Sequence, residues 1–97
     1  MDVKIKIFLF STILNLLDLL LSFIDFTIGY TEANHWMLLL HNSYMAALMG
    51  VITFELILAA WYAFSMVYDK ARYGMLTWGL TKLYPIINNV LLLIFSF

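Results

Sequence analysis

The chain has 97 residues, 65% of them hydrophobic and 11% charged, with a formal net charge of -1 and a mean hydropathy of +0.96. That composition lies outside the range of soluble domains, and the length leaves no room for a second domain. The near-neutral charge gives no reason to expect nucleic acid as a partner, and the absence of cysteine excludes disulfides, thiolate metal sites, iron–sulfur clusters and cysteine-linked haem.

Three hydrophobic runs are each long enough to cross a hydrocarbon core of about 30 Å, which needs roughly 20 helical residues. The first covers about residues 6–29. It follows Lys4 and Lys6 as a signal peptide would, but Asp18 interrupts the apolar region and no small-x-small cleavage site follows, so it reads as a retained membrane helix. Ser11, Asn15, Asp18, Ser22, Asp25 and Gly29 recur at spacings of four and three, which places all six on one face of an α-helix. Leu, Ile and Phe fill its other sides. Putting Asp or Asn in hydrocarbon costs several kcal/mol unless a partner satisfies it. The stripe must therefore face protein, bound water or a ligand.

The loop that follows holds Glu32, Asn34, His35, Trp36, His41 and Asn42 and no Lys or Arg. Glu32 and His35 share a helical face at i, i+3, but His35 and His41 do not, and no third strong ligand is evident. Helix capping by Glu32 or Asn34 and interface anchoring by Trp36 explain this loop better than a metal does.

The second run covers about residues 43–68. Ala46, Gly50, Thr53 and Ala60 form a small-residue side suited to close approach of another helix, while Glu55 points to roughly the opposite side, near Ala59 and Tyr62. The helix should therefore touch protein on both flanks. The third run, about residues 74–97, contains Lys82, which can snorkel to the near interface, and Pro85, which should kink the helix. A lateral helix over about residues 69–84, followed by a shorter steep segment, is an alternative. Gly74, Thr77, Thr81, Pro85 and Asn88 share a face, with Lys82 and Asn89 beside it; Thr and Asn bonding to backbone carbonyls would account for that face.

The expected architecture is thus all-α: an integral membrane protein with three transmembrane helices and antiparallel neighbours. Lys4, Lys6, Lys70 and Arg72 fall on the side shared by the N-terminus and the second loop, so the positive-inside rule puts the N-terminus in the cytoplasm and the C-terminus outside. The plasma membrane is the expected location. Asp18 and Glu55 lie near the middles of their spans, with Asp25 about 10 Å further outward than Asp18 at 1.5 Å per residue. Polar side chains between membrane helices act chiefly as hydrogen-bond glue, so Asp18, Asn15 and Ser22 are expected to bond Asn88, Asn89 or Lys82, or neighbouring subunits. Paired acids at mid-membrane depth can also carry protons or cations.

No catalytic constellation is legible: there is no Ser–His–Asp order, phosphate loop or HExxH, and nothing calls for a cofactor. The expected function is a non-catalytic accessory subunit of a larger integral-membrane complex, for which respiratory, oxidase or monooxygenase assemblies are plausible hosts. Its partners would be other membrane subunits and lipid. The alternative is a small proton- or cation-conducting homo-oligomer using Asp18, Asp25 and Glu55, and a lipid- or quinone-binding module is a third possibility.

The stretch Leu14-Asn15-Leu16-Leu17-Asp18, then Gly29 and Glu32-Ala33-Asn34, resembles an uncharacterised family of small prokaryotic, often archaeal, three-helix membrane proteins. That family carries Asn-Leu-Leu-Asp, a Gly, then Glu-x-Asn-Pro and two further spans. The closing Tyr84-Pro85-Ile86-Ile87-Asn88-Asn89 is similar to its last span. Two departures stand out: His35 replaces the expected Pro, and Glu55 stands where the resemblance implies a basic residue. A base for Asp18 would then be lost or supplied by Lys82. The family has no established activity, so the resemblance implies topology rather than chemistry.

Overall fold

The computed structural model describes residues 2–27 and 43–95. All regular elements among them are helices: α1, Val3–Thr27; α2, Ser43–Val67; α3, Ala71–Leu80; and α4, Leu83–Phe95. Three stretches, Val3–Thr27, Tyr44–Val67 and Ala71–Phe95, are long and apolar enough to cross a membrane. The third begins earlier than the expected residue 74 and consists of α3 and α4 together.

The break between α3 and α4 falls at Thr81–Lys82, ahead of Pro85 rather than at it. The reason is local. Pro85 has no N–H for the carbonyl of Thr81, and its ring crowds that carbonyl, so the helix cannot pass through residue 81 unperturbed. The chain tightens instead: Thr81 N–H bonds Trp78 O at 3.2 Å and Lys82 N–H bonds Gly79 O at 3.1 Å, both three residues back. Pro85 then sits in the first turn of α4, where a missing donor costs least.

α1 is the hub. It packs against α2, α3 and α4, and α2 also packs against α3. Along α1 and α2, Phe8 meets Tyr62 with ring centroids 5.1 Å apart, and Phe23 meets Tyr44 at 5.2 Å. The tightest crossing lies between α1 and α3. A Cβ at Gly79 would overlap Ser11 Oγ and Cβ, so glycine is what lets the two backbones approach; Gly74 is similarly pressed against the Trp61 ring. The small apolar core holds Phe54, Leu58 and Met75. Leu14, Val51 and Ile86 are buried as well, while many large apolar side chains, Ile13, Leu20 and Leu56 among them, are exposed, as suits an exterior facing lipid.

Lys4 Nζ lies 3.1 Å from Asp69 Oδ1, and Arg72 Nη1 lies 3.6 Å from Asp69 Oδ2. The start of α1 and the turn after α2 therefore occupy the same end of the molecule.

Candidate functional site

The stripe on α1 is spent mostly inside the chain, one partner helix per turn. Ser11 fits under Gly79 of α3. Asn15 Nδ2 donates to Val51 O at 3.0 Å and to Glu55 Oε1 at 3.2 Å, while Thr12 donates to Glu55 Oε2 at 3.2 Å. One turn on, Lys82 Nζ lies 2.7 Å from Asp18 Oδ2, and Asn89 Nδ2 donates both to Asp18 Oδ1 at 3.3 Å and to Ser22 Oγ at 3.1 Å.

Two expectations need correction. Asn15 does not reach the third span; it bonds α2, because residues 12 and 15 stand three apart on the flank that faces Glu55. Lys82 does not snorkel to an interface. It sits at the α3–α4 break, where the interrupted helix lets its stem turn inward, and its ammonium is held both by Asp18 and over the Phe54 ring, 4.8 Å from the centroid. Beside it, Trp78 stacks on Phe54 at 5.0 Å and donates its indole N–H to Phe54 O at 3.3 Å. Phe54 and Thr12 were not singled out by the sequence. Thr12 alone carried a usable signal, its spacing from Asn15.

The side chains of Asp18 and Lys82 are 12% and 13% exposed, so their charges are mutually neutralised in a largely buried setting. The base beside Asp18 is thus Lys82, from the break between α3 and α4. Glu55, by contrast, has hydrogen-bond donors around it and, among the described residues, no cation at ion-pair distance.

α4 packs on α1 but leaves a cleft between itself and α2, with a volume of about 540 Å³. Asp18, Ser22 and Asp25 of α1 form its floor, Ala46, Gly50 and Thr53 of α2 one wall, and Asn88 and Asn89 part of the other. A Cβ at Gly50 would meet nothing within 4 Å. Among the described residues, no helix therefore lies against Gly50 on this side of α2. Asp25, at the end of the cleft nearest the first loop, is 2% exposed, and neither carboxylate oxygen has a hydrogen-bond partner.

Among the described residues no three of Asp, Glu and His come together as a metal-binding group. The loop candidates Glu32, Asn34, His35 and His41, like Gly29 and Trp36, lie outside the described residues. Compared with family models, curated proteins and solved structures, the chain matches none.

Proposed function

We propose that this chain is a non-catalytic accessory subunit of a larger integral-membrane assembly, and that a transmembrane segment of a partner lies against the α2–α4 cleft. One observation carries the reading: the Gly50–Thr53 side of α2, with Ala46 buried one turn before it, offers the close-approach surface that membrane helices use, and among the described residues nothing stands over Gly50. Thr12, Asn15 and Glu55, and likewise Asp18, Ser22, Lys82 and Asn89, bond within the chain, which stabilises its own bundle.

The membrane topology belongs to the same reading. The spans run antiparallel, supported by the pairing of Phe8 with Tyr62 and Phe23 with Tyr44, which progress in opposite directions along the two helices. The end bearing Lys4, Lys6, Lys70 and Arg72 faces the cytoplasm. The resemblance to small three-helix prokaryotic membrane proteins agrees with this arrangement and leaves the partner open.

Extraction of native membranes in mild detergent, followed by native electrophoresis and mass spectrometry, tests the proposal. The chain should co-migrate with larger subunits at fixed stoichiometry, and Gly50→Leu, which fills the cleft, should release it. A band holding only this chain, at a multiple of 11.3 kDa, would reject the reading and favour a conducting homo-oligomer. Glu55→Gln separates the two further. It keeps one oxygen to accept from Asn15, its amide N–H can donate to the rotatable Thr12 hydroxyl, and the charge is gone, so assembly should survive it, whereas conduction through Glu55 should collapse.

A further inference from the structure

The unsatisfied group in the cleft says what the partner must bring. Asp18 and Lys82 cancel each other, so the carboxyl of Asp25 is the one buried ionisable group lining the cleft that has no partner among the described residues. A buried carboxylate without a donor is costly, and the cost disappears only if a cation or a proton reaches it. The geometry points to a cationic side chain, lysine or arginine, inserted by the docked partner helix and paired with Asp25. This deepens the docking reading above and rests on it.

Three features favour that occupant. Asp25 lies two residues from Thr27, the end of α1, which is the depth where a long basic side chain can enter a membrane protein with little penalty. The wall opposite is open at Gly50, where a Cβ would meet nothing within 4 Å, so a partner backbone can come close there, and a long lysine stem can reach down toward Asp25, which like Ala46 lies buried deeper in the cleft. An aminophospholipid offers the same ammonium but brings a phosphate with it. The cleft has no cation to receive that phosphate, since Lys82 is already engaged by Asp18. Ser22, Asn88 and Asn89 supply neutral polar atoms around the entering group.

n-Butylammonium reproduces the end of a lysine side chain, and n-butanol is its uncharged counterpart. Each is titrated into the purified chain in phosphatidylcholine nanodiscs while the backbone amide resonances of residues 22–26 are followed. Butylammonium should shift them saturably, and at least tenfold more weakly in both Asp25→Asn and Gly50→Leu; butanol should act alike on all three proteins. Equal responses to the two probes, or an unchanged response in Asp25→Asn, would overturn the inference. Replacing some phosphatidylcholine by phosphatidylethanolamine should leave the titration unchanged; competition by that lipid would assign the site to a headgroup instead. The native complex distinguishes this inference from the docking reading. Release by Gly50→Leu and weakening by Asp25→Asn support both, while release by Gly50→Leu alone keeps the docking surface and removes the cation.

Discussion

The pair Asp18–Lys82 shows how one residue's location changes what its neighbour can tolerate. Each charge alone in this setting would be stranded, because the side chains are largely shielded and the surroundings apolar. Removing one partner of such a pair typically costs about 3–5 kcal/mol, whereas replacing both by apolar groups is often neutral. Asp18→Leu should therefore lower the unfolding free energy in detergent by roughly that amount, and Asp18→Leu with Lys82→Met should recover most of it. A double variant no more stable than Asp18→Leu would show that the ion pair does not account for the loss. For the same reason Asp18→Asn is a poor probe of conduction, since it strands Lys82, and Glu55→Gln is the better one.

Asp69 titrates in the opposite setting, exposed at the end of the molecule. The hydrogen bond from Lys4, with the nearby Arg72 guanidinium, holds its carboxyl below the usual carboxylate range. A lowered folded-state value means the stabilisation is fully present above the unfolded value of about 4 and fades as pH falls through the lower folded one. Thermal unfolding between pH 6 and pH 3 should thus fall more steeply for the wild type than for Asp69→Asn. The difference should shrink in high salt, because exposed charges are screened. Identical pH profiles would show that this contact contributes nothing.

At the scale of elements, two glycines in similar helices predict opposite outcomes. Exchanging glycine for alanine inside a helix ordinarily gains about 0.5–1 kcal/mol. Gly50→Ala should gain that much, since its Cβ enters open space. Gly79→Ala should instead lose about 1–3 kcal/mol, the usual cost of overpacking, because its Cβ would collide with Ser11 at the α1–α3 crossing. Ser11→Gly in the Gly79→Ala background should restore stability; failure to do so would place the strain elsewhere. This contrast also marks what was readable in advance. The α1 stripe was legible because spacings of three and four are a property of one helix, and lipid makes the remaining faces uniform. Which helix answers each polar residue was not legible. Lys82 and Asp18 are 64 positions apart, and their meeting depends on a helix break whose exact place follows from the carbonyl four residues before Pro85. Gly50 and Gly79 look alike in sequence, yet one lines a cleft and the other a crossing, a difference that only packing creates.

The whole molecule measures 44 × 28 × 17 Å between its Cα extremes. Its long axis exceeds a hydrocarbon core of about 30 Å, and its thinnest dimension leaves each helix with a broad face for lipid or a partner. In the proposed topology, orientation across the bilayer is set by charge. Lys4 and Asp69 touch, so the basic residues flanking them act as one cluster at one end, while the sequence from residue 30 to 42 has no Lys or Arg. A cluster of this kind resists translocation, which fixes the first span and, through short connections, the next two. The cysteine-free sequence makes the test direct, since a single introduced thiol is the only one to label. Asn34→Cys should react with a membrane-impermeant maleimide on intact cells. Tyr68→Cys, beside the basic cluster, should react only after permeabilisation. The reverse pattern would invert the topology, moving Asp25 and the mouth of the cleft to the cytoplasmic leaflet, so a partner's basic side chain would have to enter from that side.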